Sequence, residues 1–220
     1  MNERAVPQPG LHADGAFDTT VLLIRHGQSA AIVPGSPESH DPPLSNVGQV
    51  QAEALWERLA SARIDAVYAS NLARATETAA GLAKPRGLDV QERPDLREVF
   101  LGDWEGGGFR QRAADGDPEF LAFAAAGRWD LIPGCEGDDS LRARATAAVD
   151  EFVDLHRGVV VAVVCHSGWI NAWLAGHWGA NRSIVTSIEN TSITTVRAGA
   201  EGRRMVTGVN DHHHLGDPLA

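Results

Sequence analysis

The chain has 220 residues, 43% of them apolar and 22% charged, a globular balance that can bury a core without disulfide or metal staples. Its formal net charge of -10 gains nothing from counterion release on nucleic acid and is repelled by anionic lipid, which argues against a nucleic-acid or membrane-surface binder. A local cluster of arginines can still focus a positive field on a small anion.

The first eighteen residues are rich in proline, glycine and charge and are expected to be a disordered lead-in without the apolar core of a signal peptide. The longest apolar run, residues 159–165, is too short to span a bilayer. Two cysteines, Cys135 and Cys165, make no disulfide framework and are expected as free thiols, so the expected location is the cytoplasm.

Residues 21–25 (VLLIR) form a short branched apolar run, the pattern of a buried strand. Residues 30–43 hold four prolines and no periodicity, hence a loop. Ser45 suits an N-cap for a helix with apolar residues at helical spacing to about residue 62. Residues 65–70 read as a second strand, followed by a helix capped by Asn71 and running to about Ala83. Residues 88–91 suit a short strand, and 96–108 are irregular.

A short helix is expected over 118–126, a Pro/Gly loop over 130–137, and a long helix from an Asp139 or Ser140 cap to about His156. Residues 158–165 give the strongest strand pattern, residues 167–178 a helix, and 191–197 and 204–209 two late strands before a loose tail from Asp211. Strands with near-continuous apolar character alternating with helices predict an α/β sheet covered on both faces. One domain is expected over 19–215, with residues 99–137 as a cap-like insertion where the alternation breaks. The late strands at a sheet edge are compatible with a homodimer.

In such sheets ligands bind beyond the carboxyl ends of the strands. Arg25-His26-Gly27 ends the first strand, and taken alone it fits a surface turn better than an anion site. The run before Cys165 also ends in a histidine, His166, followed by Ser167-Gly168 and a helix. Two strands that each deliver a histidine to one edge place two imidazoles in one crevice, and the helix opening at Ser167 offers N–H donors and a positive dipole to a phosphate. Arg74, one turn into its helix, points back at the same rim. The segment 96–106 carries Glu98, Asp103 and Glu105, any of which suits an acid/base role, whereas Glu77 and Thr78 suit helix surface and packing.

Other chemistries lack their motifs. Six residues after Cys165 and Cys135 stand Asn171 and Leu141, so neither forms the Cys-x5-Arg of a cysteine phosphatase. Ser167 is flanked at two residues by Cys165 and Trp169 rather than by the glycines of a nucleophile elbow, and no His-Glu-x-x-His occurs.

Five ordered motifs resemble the histidine phosphatase superfamily, which includes the cofactor-dependent phosphoglycerate mutases. They are residues 23–29 (LIRHGQS), 41–45 (DPPLS) with Gly48, 70–75 (SNLARA) with Thr78-Ala79, 96–98 (LRE) with 102–106 (GDWEG), and 165–168 (CHSG). Residues 190–193 and His214-Leu215 are similar to late segments of the family, so the likeness covers roughly residues 20–215.

The resemblance implies a phosphoglycerate mutase-like three-layer sandwich, its sheet mainly parallel with an antiparallel edge strand. It implies His26 as a nucleophile that carries phosphate, Arg25, Arg74, His166 and Ser167 as the phosphate pocket, and Glu98 as the proton donor. No metal or other cofactor is implied. His166, when protonated, would add a third positive charge. Gln28, Ser29 and Trp104 are further candidates for substrate contact.

The implied activity is hydrolysis of a small phosphorylated metabolite. A mutase fits less well, because Gln28-Ser29 runs into Ala30-Ala31-Ile32 and residues 98–125 hold only two basic side chains, Arg110 and Arg112. A catalytically inactive interaction module fits less again, since every expected polar group is present. Gly134-Cys135-Glu136-Gly137 departs from the family's Gly-Glu-Ser, so the loop that helps select substrate is expected to be reshaped.

Overall fold

The computed structural model describes residues 18–32, 39–199 and 202–216. Six strands form one sheet: β1 (Thr19–Arg25), β2 (Ala66–Ser70), β3 (Val90–Arg93), β4 (Val160–Cys165), β5 (Ile193–Ala198) and β6 (Arg204–Asp211), in the order β3-β2-β4-β1-β5-β6. The first four strands in that order are parallel, and β5 runs antiparallel to both β1 and β6. The strand that opposes the rest is therefore one in from the edge, and β6 covers it.

Both faces are covered. Helices α1 (Asn46–Arg58) and α2 (Ala73–Ala83) pack Leu55, Ala75, Ala79 and Leu82 against Ile24, Val67 and Val164. On the other face α5 (Asp138–Leu155) and α6 (Ser167–Trp178) bury Leu141, Phe152, Trp169 and Leu174 against Val21, Leu23 and Val163. The alternation of β1 accounts for this: Leu22 and Ile24 serve one layer, Val21 and Leu23 the other. The architecture is the expected α/β sandwich.

Several boundaries moved. α1 stops at Arg58, and β3 lies two residues beyond the expected strand. Ser45 caps α1 by accepting from Gly48 N. α2, however, starts after Leu72 rather than Asn71, and its Ala73 N–H donates to Asp41 in the preceding loop, so a distant carboxylate does the capping. α5 begins directly after Gly137, earlier than either expected cap, and Asp138 is turned inward to accept from Trp129 N. The tail from Asp211 is not loose through Gly216: residues 213–215 form a 3-10 turn, and His214 Nε2 bonds Thr191 Oγ1 at 2.9 Å. The expected lead-in lies outside the described residues, apart from Asp18.

Residues 99–137 contain two helices, α3 (Gly108–Asp115) and α4 (Pro118–Ala126), of which α3 had no apolar period to announce it. Trp104, Phe109, Phe120, Phe123 and Trp129 form an aromatic cluster with ring centroids 5.0–6.3 Å apart. Among the described residues no helix is long and apolar enough to cross a membrane.

Candidate active site

β1 and β4 are neighbours in register, with Arg25 opposite Cys165. One residue further on, His26 N donates to Cys165 O at 3.0 Å, and the rings of His26 and His166 meet edge-on with centroids 4.8 Å apart. Each strand's pleat has delivered its histidine to the same point.

The loop after His26 can turn there because two glycines touch. A Cβ on Gly48 would lie 2.0 Å from Gln28 O, and one on Gly27 would lie 2.6 Å from Gly48 O. Gly27 N is held by Thr78 Oγ1 at 3.1 Å, so α2 buttresses the turn. Asn190 Nδ2 donates to His26 O at 2.9 Å and Thr191 N to Arg25 O at 3.0 Å, closing the other side.

His26 Nδ1 lies 2.6 Å from Gly27 O, and Arg74 Nε donates to Nε2 at 3.2 Å. A carbonyl facing Nδ1 and a guanidinium N–H facing Nε2 select one tautomer, with the proton on Nδ1 and a bare lone pair on Nε2. Burial, followed by the charges of Arg74 and Arg25, pushes the His26 pKa well below its ordinary value. His166 is fully buried; burial, His26 and the same arginines push its pKa well down too. Burial and these neighbours disfavour a proton on its ring, which argues against His166 as the third positive charge, and its side chain does not line the cavity. Arg74 Nη2 lies 3.5 Å from its Nδ1, while Nε2 has no partner among the described residues.

A third charge comes from Arg110 on α3, noted in the sequence only as one of two basic residues, and Arg97 and Arg144 also line the cavity. Arg110 lines the cavity, its charge acts on His26, Arg25 and Arg74, and its Nη2 donates to Ser29 Oγ at 2.8 Å. Arg25 Nη1 donates to Ile188 O at 2.6 Å. Asp41, 3.7 Å from Arg74 Nη1, steers that guanidinium.

Glu98 sits on the N-terminus of α6. Its Oε1 accepts from Val99 N (3.0 Å) and Trp169 N (3.2 Å), and its Oε2 from Gly168 N (3.3 Å) and Ser167 Oγ (3.5 Å). The donors expected to cradle a phosphate are thus partly used by a carboxylate, although Ser167 lines the cavity. Gly168 is required for this approach, since a Cβ there would lie 2.5 Å from Glu98 Oε1 and 3.1 Å from Trp129. The charge of Glu98 acts on both Arg25 and Arg74, which places all three around one space.

That space is a cavity of about 1030 Å³ walled by Arg25, His26, Arg74, Glu98, Arg110 and Ser167, with Trp104, Phe109 and Trp129 among its apolar residues. Gln28 does not line it: its Oε1 accepts from Ser45 Oγ and its N–H donates to Gln51. Ser29 is buried and engaged with Arg110 rather than lining the cavity. Trp104 lines the cavity but is 1% exposed, mostly core. Among the described residues no group of three or more His, Cys, Asp or Glu could hold a metal ion, the 212–214 histidines included. Glu77 accepts from Leu44 N at 2.8 Å, a structural bond.

The profile of the histidine phosphatase superfamily (branch 1) matches residues 21–211. The chain is 35% identical over 182 residues to phosphoglycerate mutase-like protein 4 of Arabidopsis thaliana, covering 80% of this chain and 78% of the relative. It is 36% identical over 162 residues to the metal-independent phosphoserine phosphatase of the same plant, covering 70% of this chain and 66% of the relative. The crystal structure of a mycobacterial glucosyl-3-phosphoglycerate phosphatase superposes with a TM-score of 0.73 at 29% identity, over 87% of this chain and 98% of that one.

Proposed function

Because the chain belongs to the histidine phosphatase superfamily, branch 1, we propose that it is a metal-independent phosphomonoester hydrolase that carries phosphate on His26, with Glu98 as proton donor. The observation that carries this is the pair of contacts on the two ring nitrogens of His26. Its Nδ1 is tied to Gly27 O and its Nε2 lone pair faces Arg74, so a neutral nitrogen is held ready among cations.

In the first step Nε2 attacks phosphorus as the P–O bond to the leaving alcohol breaks, and Glu98 passes to the departing oxygen a proton that it takes up from the phosphate monoester monoanion as it binds. Water then attacks the phosphohistidine, giving its proton to Glu98, and the His26 N–P bond breaks to release phosphate. The transition state for phosphoryl transfer is loose, so positioning and charge do most of the work. Arg25 and Arg74 fork the phosphate oxygens, the unpartnered Nε2 of His166 donates to one, and the Ser167 N–H completes the pocket. As phosphate binds, Arg74 turns its donors from the His26 lone pair to the oxygens.

Residues 99–137 act as a cap over the leaving group. Two of the relatives named above are by name phosphatases of phosphoserine and of glucosyl-3-phosphoglycerate, and a small phosphorylated metabolite suits a cavity of this size. The two free cysteines suit a reducing cytoplasm.

The test is phosphate release from a panel of phosphorylated metabolites with chelator present. Release is expected to survive chelation and to vanish in His26→Ala, and an acid-labile, base-stable phosphoenzyme is expected after a rapid quench. A need for added divalent metal would overturn the mechanism, and isomerisation of phosphoglycerate without phosphate release would make the protein a mutase.

A further inference from the structure

Arg144 on α5 and Glu136 in the loop before it line the cavity, and the charge of Arg144 acts on His166; their contacts grip the backbone on both sides of Glu98. Arg144 Nη1 donates to Asp95 O at 2.7 Å and to Arg97 O at 2.8 Å. Its Nη2 and Nε reach Glu136 Oε1 and Oε2 at 2.6 and 3.3 Å. Glu136 in turn accepts from Phe100 N at 3.1 Å, and its own N–H donates to Phe100 O at 3.1 Å. One forked ion pair therefore ties residues 95 and 97 to residue 100, with Glu98 between them.

The pair is only about one-fifth exposed on each side. A planar guanidinium that serves two carbonyls and a carboxylate together fixes a backbone in a way that a flexible ammonium cannot. Trp169 Nε1 adds a bond to Asp95 O at 2.9 Å, linking the same segment to α6, whose N-terminus holds the Glu98 carboxylate.

We propose that Arg144 and Glu136 are positioning residues for the proton donor: their ion pair sets where Glu98 stands relative to the leaving oxygen. This rests on Glu98 being the proton donor. A shift of the segment by a fraction of an ångström would spoil proton transfer, which needs hydrogen-bond reach, while Arg25, Arg74, His26 and His166 keep their places on β1, α2 and β4.

The consequence is a selective loss. An alkyl phosphate needs its alcohol protonated as it leaves, whereas nitrophenol leaves as a stable anion. The ratio kcat/KM covers steps up to the first P–O cleavage, so it isolates the protonated departure from later hydrolysis of the phosphoenzyme.

The experiment compares kcat/KM for an alkyl phosphate and for p-nitrophenyl phosphate in the wild type, Arg144→Met, Arg144→Lys, Glu136→Gln and Glu98→Gln. Inorganic phosphate inhibition and the thermal midpoint are measured alongside. Arg144→Met should lose about 10- to 100-fold on the alkyl phosphate and less than about 3-fold on the nitrophenyl ester; the cation it removes from the cavity wall affects phosphate inhibition and both esters alike, so the ratio of the two losses is the readout. Arg144→Lys and Glu136→Gln should show smaller losses with the same selectivity. Adding Glu98→Gln to Arg144→Met should cost little more on the alkyl ester than Glu98→Gln alone.

Equal losses on both esters, or none, would overturn the positioning role. If Arg144→Met does not fold, the same selectivity or its absence is read from Arg144→Lys and Glu136→Gln. A non-selective loss in Glu98→Gln itself would remove Glu98 as the donor, and the role of the pair with it. Wild-type protein inactive on every ester would count against the hydrolase function instead.

Discussion

Arg74 Nε donates to His26 Nε2 across 3.2 Å, so the guanidinium rests on the lone pair proposed to attack phosphorus. Burial first and this contact second lower the affinity of the imidazole for a proton, since a proton on Nε2 would face a cation at hydrogen-bond distance. A phosphate dianion is the natural competitor for that guanidinium, since its oxygens accept charge-assisted bonds that a neutral ring nitrogen cannot match.

Nitrogen-15 NMR of labelled histidine should therefore find His26 as the neutral tautomer with the proton on Nδ1, and this signature should persist well below the ordinary pKa of 6.5. A doubly protonated His26 ring in the unliganded protein near that pH would contradict the geometry.

Stability should depend on pH through His26 and His166, whose folded pKa values both lie well below 6.5. Below that value the unfolded chain binds protons that the folded chain refuses, so the stabilisation is complete above it and is lost as pH falls toward the folded pKa values. The slope is up to about 1.4 kcal/mol per pH unit for each ring. Urea unfolding from about pH 7 to about pH 5 should show a shallower slope in His166→Asn than in wild type. Identical slopes would mean that His166 protonates in the folded state.

Arg110→Gln removes a cation that lines the cavity and acts on both phosphate-site arginines. Because Arg110 is exposed on α3, KM should rise about 3- to 10-fold with kcat within about twofold, and the effect should shrink as salt is added. A loss confined to kcat would place Arg110 in the chemical step.

Gly168→Ala puts a methyl group 2.5 Å from Glu98 Oε1. Kinetics on esters of differing leaving group should show the alkyl phosphate losing at least about 10-fold while phosphate inhibition holds. Full activity would show that Glu98 works from another position.

Trp104→Ala should act on stability first. The ring is 1% exposed, meets Phe109, Phe120 and Phe123, and carries the Arg112 guanidinium over its face with Cζ 5.0 Å from the ring centroid. Chemical denaturation should show a loss of about 3–5 kcal/mol. A change in KM with unchanged stability would instead make Trp104 a substrate contact.

Local pattern was enough to predict the strands ending at Arg25 and Cys165, the helices after Ser45 and Ser167, and hence two histidines at one sheet edge. Hydrophobic period and strand-to-helix punctuation are properties of neighbouring residues, and a sheet covered on both faces leaves few ways to assemble them. Tertiary structure alone decided the rest: that Asp41 caps α2 and steers Arg74, that Glu98 rests on α6, that Arg110 supplies a third charge, and that Arg144 and Glu136 clamp the Glu98 segment. These pairs are tens of residues apart or lie on elements with no apolar period. Hydrogen bonds and charges act through space, so their partners emerge only once the chain is folded, and the lowered pKa of His166 likewise follows from burial that no short stretch of sequence records.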